Sequence, residues 1–308
     1  MPPIPLFDAH CDTVSACLAR GEALRENGGH LDLARLTAYA RAAQVFAVFA
    51  DGAALPPGTL PAEARRQRDF FAAELSASGD IAMPCRTGDD IRAANAAGKV
   101  ACLLSVEGGE LLDCDPAALE EAKAWGVRCV NLTWNHANAL SGSHAEDPDR
   151  GLSDVGRAFV REAERLGILI DVSHLSDAGF WDLVSMTSRP IVATHSDARA
   201  VCPRSRNLTD DMFRAIRDSG GAAGLNLYTP FIGGEGMDAV LRHVDRFLSL
   251  GGERCLCLGL DLDGCSALSG GLRGVQDVPL LWEALSERGC GSALLEDIFF
   301  NNLLRVLA

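Results

Sequence analysis

The sequence predicts an α/β fold: a (β/α)8 barrel of the TIM type, as a single domain over residues 1–308. Three observations point there. Short apolar runs recur along the whole chain without the polar alternation of a half-exposed sheet, as strands buried on both faces do. Amphipathic helical patterns stand between the runs, which is the order of a parallel sheet with helices on its faces. The length of 308 residues suits one such barrel, and no low-complexity linker or shift of composition divides it. A doubly wound open sheet is the alternative built from the same parts.

In chain order the predicted strands are Leu6–His10, Gln44–Ala50, Val100–Glu107, Val127–Thr133, Ile168–His174, Ile191–His195, Ala222–Tyr228 and Cys255–Asp261. The predicted helices are Pro61–Ala77, Asp115–Trp125, Ser153–Leu166, Thr209–Ser219, Asp238–Leu250 and Val278–Arg288. Ser153 and Thr209 read as N-caps, and Gly167 and Gly220 as the stops that end their helices. The repeated phrase of helix, glycine and apolar strand (Trp125-Gly126-Val127, Leu166-Gly167-Ile168) is how one unit closes onto the next. Asn135–Arg150, rich in Ser, Gly, Asp and Pro, is the longest excursion after a strand, and loops on that end of a barrel form active sites.

The composition, 48% hydrophobic and 23% charged, is that of an ordinary soluble globular protein. A formal net charge of −14 argues against nucleic acid or an anionic membrane as partner. Neither a signal-peptide pattern nor an apolar segment of membrane-spanning length is present in the sequence. The 11 cysteines are scattered, several inside apolar runs, which predicts reduced thiols, no disulfides and a cytoplasmic location. A homo-oligomer is compatible with all of this.

Five of the runs end in metal-type side chains: His10 with Asp12, Glu107, His174, His195 and Asp261. In an extended segment His10 and Asp12 project to one side and can reach one cation. A lone histidine at a strand end is more often structural than a ligand, and a lone acid before glycine is usually a turn residue. Five such tails at one end of one barrel outweigh those separate readings, and nitrogen with carboxylate ligands suits zinc. Barrel hydrolases of this kind often bridge two metals with a carboxylated lysine, but the only lysines are Lys99 and Lys123, away from any strand's C-terminal end. Glu107 is therefore the candidate bridge, holding two ions ~3.5–4 Å apart.

Beyond these positions the chain resembles the membrane (renal) dipeptidase family of binuclear zinc peptidases. The stretches that carry the resemblance are Asp8–Asp12, Ser105–Gly108, Asn131–Thr133, Asp171–His174 and Gly259–Gly264. The most specific is Thr194-His195-Ser196-Asp197-Ala198-Arg199-Ala200-Val201-Cys202-Pro203, followed by Arg206-Asn207-Leu208-Thr209-Asp210-Asp211. The resemblance implies two Zn2+ ions per chain with a bridging water or hydroxide. His10, Asp12 and Glu107 would hold one ion, and Glu107, His174 and His195 the other. It implies that Arg206 pairs with the carboxylate of a dipeptide substrate and that Asp261 handles protons, with Glu107 beside it in the catalytic centre. One position departs from the pattern: Trp134 stands where the family has a histidine for the scissile carbonyl. His136, two residues on, is either its replacement or a solvated loop residue. Trp134, His136 and Tyr228 are counted as substrate-side candidates, whereas His30, His144 and His243 receive no role.

The expected activity is hydrolysis of short peptides with a free C-terminal carboxylate, since a planar guanidinium reads a carboxylate with two hydrogen bonds. Hydrolysis of N-acyl amino acids, cyclic amides or lactones on the same metals is the nearest alternative. A non-catalytic zinc-binding protein has no need of Asp261 as a proton carrier. A phosphoesterase would want a phosphate cradle, which the sequence lacks.

Overall fold

The computed structural model describes residues 2–307, and each predicted apolar run contains a strand. They are β1 (Pro5–Cys11), β2 (Arg41–Phe49), β3 (Ala82–Pro84), β4 (Val100–Glu107), β5 (Val127–Asn131), β6 (Leu169–Asp171), β7 (Val192–Ala193), β8 (Ala222–Leu225) and β9 (Leu256–Leu258). All pairings are parallel, and a β2–β4 pairing closes the order β2-β1-β9-β8-β7-β6-β5-β4 into a barrel. The extra strand, β3, adds to the lower half of β4 at Val100–Cys102, below the stretch Leu104–Glu107 that pairs with β5. It is too short to carry a pattern of its own in the sequence.

Five strands stop two or three residues earlier than the sequence predicts. The apolar runs continue to Thr133, His174, His195, Tyr228 and Asp261, but the ladders end at Asn131, Asp171, Ala193, Leu225 and Leu258. The physical reason is visible at β6, where Asp171 Oδ1 accepts from the Ser173 and Thr194 backbone N–H groups and draws them out of the ladder. His174 and Asp261 then take left-handed conformations, with φ of 71° and 60°. Non-glycine residues there are strained, a feature that concentrates at functional sites.

The helices follow the predicted spans within a few residues. Ser153 caps Asp154–Leu166 by accepting from Gly156 N–H, Thr209 caps Asp210–Asp218 through Met212 N–H, and Gly167 closes its helix with φ of 72°. Three further helices of eight or more residues, Thr13–Arg20, Gly88–Ala96 and Asp177–Met186, and several shorter ones are not among the predicted spans. Gly88–Ala96 nevertheless carries a capping box, Thr87 with Asp90, that marks its start. Asp177–Met186 sets the exposed Trp181 among Asp177, Asp182 and Ser185, which breaks its polar face and hides the period.

Phe7, Ala9, Ala43, Val45, Ala101, Leu103, Cys129 and Cys257 form one apolar cluster with Phe300 and Leu303 of the C-terminal segment. The larger core lies between barrel and helices. Among the described residues no helix is long and apolar enough to cross a membrane.

Candidate metal centre and active site

Every predicted ligand lies on β1 or β4 or in the loops leaving β1, β6, β7 and β9, at the C-terminal mouth of the barrel. On β1 an irregularity helps to place them. Asp8 lies opposite Gln44 and Cys11 opposite Phe46, so β1 spends three steps where β2 spends two. The extra residue shifts the alternation and turns His10 to the side that Phe7 faces lower down, as bulges near sites do. Asp8 anchors the bulge: its carboxylate accepts from Gln44 Nε2 at 2.9 Å and from Leu260 N–H at 2.8 Å. That second bond ties β1 to the residue preceding Asp261. Burial pushes the Asp8 carboxyl up to about 6.

Glu107, the last residue of β4, stands at the centre. Its Oε1 lies 2.9 Å from His174 Nε2 and 3.4 Å from His195 Nε2, and its Oε2 lies 3.4 Å from His10 Nε2. His10 Nε2 is 3.6 Å from Asp12 Oδ2 and 4.0 Å from Asp261 Oδ1. The His10 and His195 rings stack with centroids 3.8 Å apart. Two overlapping groups have ligand spacing: His10, Glu107 and His195, and His10, Asp12 and Asp261. All of these side chains are buried. Gly264 lets the loop after β9 pass the acids, because a Cβ there would collide with the Asp12 and Asp261 carboxylates.

Hydrogen bonds fix which nitrogen each histidine turns to the centre. Thr194 gives its hydroxyl hydrogen to Asp171, so His195 Nδ1, 2.8 Å from Thr194 Oγ1, must be the donor there. Its Nε2 lone pair then faces inward. His174 Nδ1 lies 2.9 Å from Asn135 Oδ1 and donates to it, which leaves its Nε2 lone pair inward as well. The two Nε2 atoms are 3.0 Å apart. Lone pairs do not hydrogen-bond to one another.

The electrostatics agree. Burial, with the positive charges of Arg206 and His10, holds His174 and His195 well below the usual histidine range. Burial opposes charge on His10 too, yet Glu107 and Asp12 outweigh it and raise that group well above its ordinary value. Burial raises both Glu107 and Asp261. The cluster is short of positive charge. His10 Nε2 and Asp12 Oδ1 are buried without hydrogen-bond partners. An orphaned carboxylate oxygen, facing lone pairs and clustered carboxylates fit divalent cations, which satisfy all three.

Arg206 is not the solvated surface arginine that its loop position allowed. Its residue is only 4% exposed. Nη1 donates to Ser196 Oγ at 2.6 Å, the guanidinium lies over the Phe231 ring at 5.7 Å, and Nε and Nη2 have no acceptor. Asp261 accepts from Asn226 Nδ2 at 3.0 Å, which steadies one oxygen and leaves the other towards His10.

The remaining candidates lie further out. Trp134 packs between Phe49 and His174, with centroids 4.9 and 6.2 Å away. The His136 side chain is 49% exposed and sits between Asp51 and Glu146, at 3.4 and 3.3 Å. It is not brought to the cluster. Tyr228 is half-buried and edge-on to Phe231, the ring beneath Arg206. Asp263 accepts from Thr13 Oγ1 and His30 N–H and so pins a loop. His243 is buried in a helix between Ala198 N–H and Ile232 O.

The polar residues that sequence reasoning missed here include Asp171, Thr194, Asn135, Asn226 and His144. His144 had been given no role, yet its ring lies 5.8 Å from that of His174, and both rings bond to Asn135. Burial and the neighbouring Arg206 and Arg199 push His144 down to about 3, so it is neutral. The only signal in the sequence was position, since Thr194 and Asn135 lie beside residues already singled out.

A parallel barrel with a buried histidine–carboxylate cluster at its C-terminal mouth defines a metal-dependent hydrolase. The family model for membrane dipeptidase (peptidase family M19) matches residues 1–308, and the chain belongs to that family: it is a metallo-dipeptidase. It is 30% identical over 293 residues to dipeptidase aclJ of Aspergillus oryzae, covering 91% of this chain and 69% of that one. A metallo peptidase from Rhodobacter sphaeroides, liganded with a phosphinate mimic of the dipeptide L-Ala-D-Ala, matches with a TM-score of 0.92 and 29% identity over 99% of each chain. Dipeptidase AC, a metallo peptidase of family M19, matches with a TM-score of 0.91 and 30% identity over 99% of this chain and 98% of that one.

Proposed function

We propose that the chain is a two-zinc dipeptidase selective for short peptides with a free C-terminal carboxylate. His10, Asp12 and Glu107 hold one ion; Glu107, His174 and His195 hold the other. When bound, the ions supply the Lewis acidity that activates water and polarises the peptide carbonyl. The chain's own residues do the rest. Asp261, steadied by Asn226, takes the proton of the attacking water and passes it to the leaving amine. Trp134, beside His174, and Tyr228, beside the ring under Arg206, stand on the substrate side.

The observation that carries the specificity is Arg206. A buried guanidinium with two donors unspent is costly unless a ligand completes it, and a carboxylate accepts both in a planar fork. The dipeptide mimic bound to the Rhodobacter relative makes L-Ala-D-Ala the first substrate to try. A cytoplasmic location is part of the proposal, supported by eleven free thiols of which all but Cys290 are buried.

The test is purified enzyme loaded with zinc, assayed against L,L- and L,D-dipeptides with N-acyl amino acids alongside. Cleavage of dipeptides with a clear margin over N-acyl amino acids is expected. A preference for N-acyl amino acids would replace this reading with a broader amidohydrolase.

A further inference from the structure

Asn135 Oδ1 is an acceptor shared by two histidines, His174 Nδ1 and His144 Nε2, each 2.9 Å away. An amide oxygen can only accept, so both ring nitrogens carry hydrogen. His144 Nδ1 is then an acceptor, supplied by the Ser205 hydroxyl at 3.1 Å. The backbone joins the same loops, since His144 N–H donates to His174 O at 2.8 Å and Ser143 Oγ to Asn135 O at 2.6 Å. One connected path therefore runs from Ser205, next to the carboxylate-reading Arg206, through His144 and Asn135 to His174.

The direction of these bonds decides whether His174 can bind metal. Were the Asn135 amide turned round, its NH2 group would donate to His174 Nδ1. That would force the hydrogen onto Nε2, aimed at Glu107 and His195 where the ion belongs. His144 Nε2 shares the same oxygen and holds the amide in this place, while the Ser205 hydroxyl partners the outer ring nitrogen.

We infer that Asn135 and His144 are positioning residues that lock His174 in its metal-binding tautomer. The inference rests on the two-metal reading of the site. His195 obtains the same service from Asp171 through Thr194, so the two ligands on this side are oriented by unrelated devices. Partners that orient metal-bound histidines typically contribute 10–100-fold in metal affinity.

The experiment measures zinc dissociation from the full chain by competition with a chromogenic chelator, resolving the two ions. Melting of the metal-free protein is recorded in parallel. Asn135→Leu is expected to weaken one ion roughly 10–100-fold and leave the other within a few-fold of the parent. Asn135→Asp, which keeps an acceptor in place, is expected to bind both as the parent does. His144→Phe, which removes the second bond holding the Asn135 amide but leaves the acceptor, should give a smaller loss confined to the same ion. Parent-like binding in Asn135→Leu overturns the inference. So does equal loss in Asn135→Asp and Asn135→Leu, which would mean that the acceptor is irrelevant. Unchanged binding in His144→Phe would remove His144 from the pair. If Asn135→Leu does not fold, Asn135→Ala carries the same contrast with Asn135→Asp. A parent protein that binds no zinc contradicts the two-metal reading itself, whereas a parent binding two ions with unaffected variants contradicts this inference alone.

Discussion

On the β1 and β9 side of the centre, Asp12, Glu107 and Asp261 crowd around one histidine, and His10 Nε2 and Asp12 Oδ1 have no hydrogen-bond partner. On the β6 and β7 side, two neutral histidines have their outer nitrogens committed to Thr194 and Asn135. The first half is assembled by charge and left unsatisfied. The second is assembled by orientation, with the hydrogen bonds of its ligands already assigned. A cation on the acidic half would be held because carboxylates need neutralising, and one on the histidine half because lone pairs have been aimed. Glu107 belongs to both.

The difference gives each residue a distinct signature. The largest effect is expected at the shared position: Glu107→Gln should lose both ions, with activity falling to background. Elemental analysis of that variant showing one retained ion would confine Glu107 to one half. Asp261→Asn comes next. It should keep its metal content and lower turnover by ~10²–10⁴, the range for a positioned proton carrier. Turnover within a few-fold of the parent would send the proton work elsewhere. Asp263 would be a poor recipient, since it is committed to Thr13 and His30. The smallest effect is expected from Thr194→Val, which removes the acceptor of His195 Nδ1 while keeping its shape. One ion should weaken by roughly tenfold. If both ions weakened equally in chelator competition, the contrast between the halves would collapse.

Much of this centre could be read from the sequence because ligands follow apolar runs, and strand ends in a barrel converge whatever lies between them. His10, Glu107, His174, His195 and Asp261 meet for that reason. What could not be read depends on contacts far apart in the chain. The β1 bulge exists only relative to β2. Asn135 and Thr194 are ordinary polar residues until a histidine 39 positions away and an aspartate 23 positions away complete them. For Arg206 a solvated position was the lesser alternative to the carboxylate-reading role, and only the fold shows its burial, because a loop sequence does not say which way it folds. β3 was missed because it is too short to show a period, and Asp177–Met186 because Trp181 interrupts its polar face.

The central claim is that a buried arginine beside a metal centre makes this hydrolase a reader of C-terminal carboxylates. Its most direct test compares kcat/KM for a good dipeptide and for its C-terminal amide, in the parent and in Arg206→Ala. Charge-assisted hydrogen bonds of about 1.5–3 kcal/mol predict that amidation costs the parent ~10- to 100-fold. The same amidation should cost the variant almost nothing, since the interaction is already gone. Equal rates for acid and amide in the parent would contradict the claim and leave the metal centre without its proposed means of choosing a dipeptide.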